Sequence, residues 1–304
     1  MKIRVLGSSA GGGFPQWNCN CRNCRGVREG SVRAQRRTQS SLCISDDGLD
    51  WVLVNASPDL LAQIGAAPHL QPGRAVRDSG IAAVLLIDAQ IDHVAGLPML
   101  RERSSPLPVY ATAQVMEALE GSLPLLPLMR HYCGVEPHVI ASDGEAFTIA
   151  PLQHTRCHAV ALDSKPPPYS PRRHAPVRGD NIGLLFDDRQ TGAAVFYAPG
   201  LGSINEAVAE ALERADLILV DGTFWRHDEM VAQGLSRQSA ADMGHLPQSG
   251  PGGMIELLDR LPRARKVLIH INNTNPILDE DSPERATLRL HGIEVAFDGM
   301  EFEL

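Results

Sequence analysis

The sequence predicts an α/β domain in which strands form sheets covered on their outer faces by helices. Three observations lead there: short apolar runs recur along the whole chain, helical periodicity falls between some of them, and 43% of the 304 residues are hydrophobic. That supply is ample for burying one large domain or two intimate ones. No internal repeat, low-complexity tract or clear interdomain linker is visible.

Most of the apolar runs are bounded by Gly, Pro, Asn or Asp, as strands are. In order they are Ile3 to Leu6, Ser41 to Ile44, Trp51 to Val54, Ile81 to Ile87, Val109 to Ala111, Ile182 to Phe186, Ala194 to Tyr197, Leu217 to Val220, Val267 to Ile271 and Ile293 to Phe297. Helical patterns cover Asn205 to Arg214, Gly253 to Leu261 and Pro283 to Leu290, the last with Ser282 as N-cap and Pro283 in its first turn. Strands with helices laid over them are a layered α/β architecture. Two stretches break the rhythm. Ser164 to Asp180 is rich in Pro and Arg and reads as an irregular loop, because Pro lacks a backbone donor and fixes its own φ; loops this long are usually functional or mobile. In Ser8 to Arg25, glycines lead directly into clustered cysteines.

A formal net charge of −8 argues against a phosphate-binding surface, which needs a dense basic footprint, so no nucleic-acid partner is expected. Aromatic residues, at 5%, are too few for base-stacking platforms. Met1 to Gly7 reads as a strand, and no apolar run approaches the roughly 20 residues of a membrane span. A soluble cytoplasmic protein is the expectation. Of the six cysteines, Cys19, Cys21 and Cys24 crowd together while Cys43, Cys133 and Cys157 are scattered; in a reducing compartment that speaks for a metal and not for disulfides.

Cys19, Cys21 and Cys24 can converge on one ion once the backbone turns, and a tetrahedral thiolate shell at about 2.3 Å is what structural zinc prefers. Arg22 and Arg25 are placed to help keep the thiols ionised. Free cysteines or a reactive redox pair are the competing readings. The fourth ligand lies outside the cluster: a distant residue or water.

Chemistry in open α/β sheets gathers where strands end. The run Val84 to Ile87 opens into Asp88-Ala89-Gln90-Ile91-Asp92-His93; Leu217 to Val220 stops at Asp221-Gly222-Thr223; Val267 to Ile269 stops at His270-Ile271-Asn272-Asn273. Taken singly, an aspartate here often just caps a helix and a histidine is often a hydrogen-bonded core residue. Taken together, Asp92, His93 and His270 predict a metal pocket. His245, in a Gly-flanked loop before a helix, stands between acid/base helper and spectator.

The order of strands, the motif ending in Asp92-His93, the Asp221 strand end and the late His270 resemble the metallo-β-lactamase superfamily, which implies a single αββα sandwich over residues 1–304 with metals at one edge. Gly11-Gly12-Gly13-Phe14-Pro15-Gln16-Trp17-Asn18-Cys19-Asn20-Cys21, Asn55-Ala56-Ser57-Pro58-Asp59, Tyr197-Ala198-Pro199-Gly200-Leu201-Gly202 and His270-Ile271-Asn272-Asn273-Thr274-Asn275-Pro276 together resemble, along essentially the whole chain, the family of pyrroloquinoline quinone (PQQ) biosynthesis protein B. The cysteine cluster and Phe297-Asp298-Gly299-Met300 are also similar to a phosphodiesterase subgroup in which three cysteines and a histidine hold structural zinc. In that subgroup the fourth ligand lies three residues after the active-site histidine, which makes Asn273, or water, the candidate.

Hydrolases of this superfamily usually read His-x-His-x-Asp-His, and here the first two positions are Asp88 and Gln90. The bridging aspartate expected after the Tyr197 strand is Gly200, so a hydroxide held between two metals has no scaffold. Two imidazoles and a carboxylate with open positions suit non-haem ferrous iron that activates dioxygen. The family resemblance implies the same: iron-dependent hydroxylation of a tyrosine side chain in a tyrosine- and glutamate-derived peptide precursor of PQQ. In that picture Asp92, His93 and His270 bind Fe2+, His245 moves protons, and Asp221 orients a ligand or the substrate. The loop Ser164 to Asp180 would close over the substrate, with Arg172, Arg173 and Arg178 suited to an acidic one or merely solvated. The rival expectations are a carrier for the quinone or its precursor, a transport-related role, and a mononuclear zinc hydrolase. Oligomeric state is not legible, and a homodimer is compatible with the sequence.

Overall fold

The structure, a computed structural model, describes residues 1–304. Two seven-stranded sheets pack face to face. The first contains β1 (Lys2–Gly7), β2 (Ser41–Ser45), β3 (Trp51–Val54), β4 (Ile81–Leu85), β5 (Leu107–Thr112) and β6 (Val135–Ile140). The second contains β7 (Asp143–Phe147), β8 (Thr155–Ala161), β9 (Ile182–Asp188), β10 (Ala194–Ala198), β11 (Leu217–Asp221), β12 (Arg265–Ile269) and β13 (Ile293–Val295). The last strand, β14 (Glu301–Glu303), returns to the first sheet, giving the orders β14-β1-β2-β3-β4-β5-β6 and β13-β12-β11-β10-β9-β8-β7.

Alternation along the strands explains the layers. Ile3, Val5, Leu42, Ile44, Val52, Val54 and Leu85 of the first sheet face Leu184, Phe186, Val195, Tyr197, Leu217, Leu219 and Ile269 of the second in one central cluster. The intervening residues, Leu53, Val84 and Leu86, pack outward under the helices Leu60–Ala66 and Ala113–Glu120. On the far side Phe196, Ile218, Val220 and Leu268 meet the helices Glu206–Arg214, Met254–Asp259 and Pro283–Leu290. Because both faces of these strands are covered, they read as unbroken apolar runs such as Trp-Val-Leu-Val and Leu-Ile-Leu-Val. Ser282 accepts a hydrogen bond from the Arg285 N–H with Pro283 at the first position, the cap that the sequence predicts.

All ten expected strands are present. Four others, β6, β7, β8 and β14, were not expected. β6 carries Pro137 at its edge and β7 is almost wholly exposed, so neither has the apolar run that marks an interior strand. Ser164 to Asp180 contains no helix or strand. No helix is long and apolar enough to cross a membrane.

The parallel pairings β3–β4–β5 and β10–β11–β12 point their C-terminal ends to the same edge of the sandwich. The chain leaving β1 is tied there too: Ile271 N–H donates to Ser8 O and Ala10 N–H to Ile271 O, 2.9 Å each. This zipper draws the glycine loop across the strand ends. A Cβ on Gly11 would stand 3.3 Å from Asp92 Oδ2, so the close backbone approach suits glycine.

Candidate metal centre at the strand ends

After β4 the chain makes a single helical turn, Ile91–Val94, which folds His93 back toward the strand end. His93 is 3% exposed, and its Nδ1 lies 2.8 and 2.9 Å from the two oxygens of Asp88. An ionised carboxylate only accepts, so His93 carries a proton on Nδ1 and turns Nε2 the other way. That Nε2 is fully buried and has no hydrogen-bond partner. It sits 3.8 Å from Asp92 Oδ2, which is in turn 3.3 Å from His270 Nε2. Ligand atoms of Asp92, His93 and His270 thus lie within 4.8 Å of one another. A buried imidazole nitrogen without a partner is costly, and an ion held by these three side chains would satisfy it; the donor set fits a divalent metal.

Electrostatics agree. Burial opposes ionisation of Asp92, but the charge of His93 and the hydrogen bond and charge of His270 outweigh it, holding the carboxyl well below the usual range. Burial likewise opposes charging His93, yet Asp88 and Asp92 together raise it to about 9. The carboxylates therefore favour positive charge at the imidazoles, a place that a bound cation would take. His270 has φ +60°, left-handed backbone that a histidine adopts only under constraint.

A second constellation adjoins the first. His245 Nδ1 lies 2.7 Å from Asp221 Oδ2, and its ring stacks on His270 with centroids 5.4 Å apart. Asp221 is wholly buried and also accepts from the N–H groups of Leu201 and Thr223, 2.9 Å each. Burial opposes its charge, but His245 outweighs this and lowers its pKa; reciprocally, burial resists charging His245 and Asp221 raises it. Asp221 was expected to orient a ligand or the substrate. Its oxygens meet His245 and two backbone amides, and Asp221, His245 and His270 bring ligand atoms within 4.8 Å of one another. A Cβ on Gly200, where the bridging aspartate was expected, would stand 3.8 Å from His245 Cε1.

Two residues escaped the sequence reading. Asp88 was read as a helix cap or a substituted ligand position; it accepts from the Gln90 N–H and also meets His93 Nδ1. Thr223 lies under His245 and His270 and had no sequence signal beyond its place after Asp221.

The three cysteines do converge, with their Sγ atoms within 4.8 Å of one another. Cys21 caps the helix Arg22–Glu29 through its sulfur, and backbone N–H groups of Gln16, Cys21 and Cys24 point at the three sulfurs. The Asn273 carboxamide closes the group at 3.0, 3.6 and 3.3 Å from the sulfurs of Cys19, Cys21 and Cys24. Cys24 is lowered to about 7, chiefly by the Cys21 thiol, while Cys21 itself is pushed up. The expected help from Arg22 does not materialise: its guanidinium pairs with Asp279 at 2.8 Å.

The loop Ser164 to Asp180 straps both constellations. Tyr169 donates to Ala89 O, Gln90 Nε2 donates to Lys165 O at 3.2 Å, and Ser164 and Lys165 reach Gly244 O and Asp242 O at 3.2 and 2.6 Å. The loop arginines are used internally. Arg172 pairs with Asp180 and Glu117, Arg173 donates to Pro166 O, and Arg178 to Ser142 O. The expectation that they present free charge to an acidic substrate is corrected for Arg172, whose charge is already matched.

A model of the β-lactamase superfamily domain matches residues 50–271. Coenzyme PQQ synthesis protein B of Cupriavidus taiwanensis is 65% identical over 99% of both chains, and the protein of the same name from Methylococcus capsulatus is 56% identical over the whole of both. The crystal structure of Zn(2+)-bound PqqB from Methylobacterium extorquens superposes with a TM-score of 0.90 at 34% identity, covering all of both chains. A diphosphatase of the PhnP family, 21% identical with a TM-score of 0.68 over 100% of this chain and 97% of its own, shares the fold. On full-length identity and the matching domain model, this chain belongs to the coenzyme PQQ synthesis protein B family, within the β-lactamase superfamily.

Proposed function

We propose that this chain acts in the synthesis of coenzyme PQQ as a metal-dependent oxygenase that hydroxylates the tyrosine-derived ring of a peptide-derived precursor. Asp92, His93 and His270 would hold one ferrous ion, and Cys19, Cys21 and Cys24 a structural zinc whose fourth ligand is Asn273 or water. The observation that carries the reading is the buried, partnerless His93 Nε2 converging with His270 Nε2 on Asp92 Oδ2. The names of the relatives support the pathway, and the donor set supports the metal.

Two imidazoles and one carboxylate leave coordination positions open, and ferrous iron bound so would supply activation of dioxygen. The protein's own residues would do the rest. Asp88 aims His93 and keeps a proton on Nδ1. Asp88 is committed to His93 and Gly200 offers no bridging side chain, which favours oxygen chemistry over two-metal hydrolysis even though Asp221, His245 and His270 also bring ligand atoms within 4.8 Å of one another. His245, held through Nδ1 by Asp221, keeps Nε2 to hold or move a proton beside His270. The strap formed by Ser164 to Asp180 limits access of water.

The test is anaerobic reconstitution with Fe2+, then exposure to oxygen and an added two-electron reductant with a tyrosine-containing precursor peptide, the reductant being needed because one oxygen atom enters the ring and the other leaves as water. Gain of oxygen in the peptide mass together with oxygen consumption is expected. Hydrolytic cleavage with zinc alone would replace the reading by a mononuclear hydrolase, and tight binding of the quinone or precursor without turnover would replace it by a carrier.

A further inference from the structure

The hydroxyl of Thr223 occupies an unusual position, because four groups that matter to the site meet it or its neighbours. Thr223 is 2% exposed. Its Oγ1 lies 2.9 Å from His270 Nδ1, 3.1 Å from His245 Nδ1 and 2.9 Å from the carbonyl oxygen of His270, while its own N–H donates to Asp221 Oδ1. A hydroxyl has one proton to give and two lone pairs to receive. The carbonyl of His270 can only accept, so it takes the hydroxyl proton. Both lone pairs of Oγ1 are then free to face the two imidazole nitrogens, which are matched only if each carries hydrogen. For His245 this agrees with Asp221, which takes the Nδ1–H as its main acceptor at 2.7 Å. For His270 it means that Nδ1 carries hydrogen whatever Nε2 does; Nε2, 3.3 Å from Asp92 Oδ2, donates to that carboxylate in the metal-free protein, and a bound ion would take that proton's place. Turning the hydroxyl toward His270 Nδ1 instead would strip its proton from the carbonyl of a residue whose backbone is already held at φ +60°.

We propose that Thr223 is a positioning residue: its single hydroxyl keeps hydrogen on His270 Nδ1, braces that residue's left-handed backbone, and links the ligand imidazole to His245. Asp88 does the corresponding work for His93, so the two imidazoles of the cup are set by a carboxylate on one side and a hydroxyl on the other. The inference rests on the reading of Asp92, His93 and His270 as a metal cup, and it extends to how the cup is tuned.

The hydroxyl is tested by Thr223→Val, which keeps the shape, and Thr223→Ser, which keeps the oxygen. Fe2+ affinity is measured anaerobically by competition with a chelator, on protein whose cysteine cluster is loaded with zinc. Loss of a partner that orients a ligand histidine typically weakens metal binding by about 10- to 100-fold; that loss is expected for Thr223→Val, with Thr223→Ser close to the parent. Parental affinity in Thr223→Val, or equal losses in both variants, overturns the proposal. Should Thr223→Val fold poorly, the parent carries a second test: long-range 1H–15N spectra of the metal-free protein should show both His245 and His270 protonated on Nδ1, and a His270 without a proton on Nδ1 overturns it. Absence of peptide hydroxylation in the parent would remove the proposed reaction yet leave the affinity difference standing, so the two failures are distinguishable.

Discussion

Asp88 and His93 stand five residues apart, and the one-turn helix Ile91–Val94 brings them together so that both carboxylate oxygens lie within 2.9 Å of His93 Nδ1. The position that supplies an imidazole ligand in hydrolases of the fold here supplies the acceptor that aims one. Asp88→Ala removes the acceptor and frees the ring to turn. Fe2+ affinity should fall about 10- to 100-fold, with the far-ultraviolet circular dichroism of the parent retained. Undiminished affinity in that variant would mean that Asp88 is only a cap for the Gln90 N–H, which it also accepts at 2.8 Å.

His270 sits at φ +60°, where an L side chain costs on the order of 1–3 kcal/mol and glycine costs little. His270→Ala keeps that strain while losing the imidazole; His270→Gly loses both. Both variants should lack turnover, but His270→Gly should be the more stable by about 1 kcal/mol, less than the full strain because glycine also gains entropy in the unfolded chain. Urea unfolding of the two decides it, and an alanine variant as stable as the glycine one would show that the backbone there is relaxed.

The uneven legibility of the molecule has a physical source. Trp51 to Val54 and Leu217 to Val220 could be read as strands because both faces are buried, so every residue is apolar. Thr155 to Ala161 is a strand whose residues alternate between buried and half-buried positions, and Arg156 and His158 on the open face hide it. In the site, His270 was legible because it follows directly on β12, and Asp92 and His93 because they close the polar run that opens after β4. The work of Asp88 and Thr223 was not, because it depends on where Nδ1 of a neighbouring ring comes to rest, which only the turn of Ile91–Val94 and the twist of His270 decide. Likewise Asn273 is 249 residues from Cys24 in the chain, and only the zipper of Ser8 to Ala10 with Ile271 brings the two together.

The cysteine cluster joins the glycine loop to the segment after β12, so metal there should contribute to folding. Cys21→Ser, or stripping the wild type with a strong chelator, should destabilise the protein by about 2 kcal/mol or more, about 4–8 °C in melting temperature for a domain of this order of size. Since Gly11 of the same loop lies against Asp92, iron affinity should weaken as well. Zinc content by elemental analysis and the melting curve check both parts. Unaltered melting after complete zinc loss would make the cluster a passenger.

Glu229, which lines a pocket with Cys21 beside the cysteine cluster, supplies a further pH dependence. It is 4% exposed, accepts from Thr274 Oγ1 at 2.5 Å and from the Trp225 N–H at 2.7 Å, and burial raises its pKa from 4.5 to about 7. The folded state therefore binds the proton more tightly than the unfolded chain. Its contribution to stability is full below about pH 4.5 and is lost as pH rises through about 7, and the whole effect is on the order of 3 kcal/mol. Glu229→Gln cannot ionise, and its carboxamide can still accept from Trp225 while donating to Thr274. Between pH 5 and 8, roughly the window of this shift, unfolding free energy should decline more steeply in the parent than in Glu229→Gln, with the variant the more stable at the upper end. Parallel curves across that window would show that Glu229 is solvated enough to ionise freely in the folded protein.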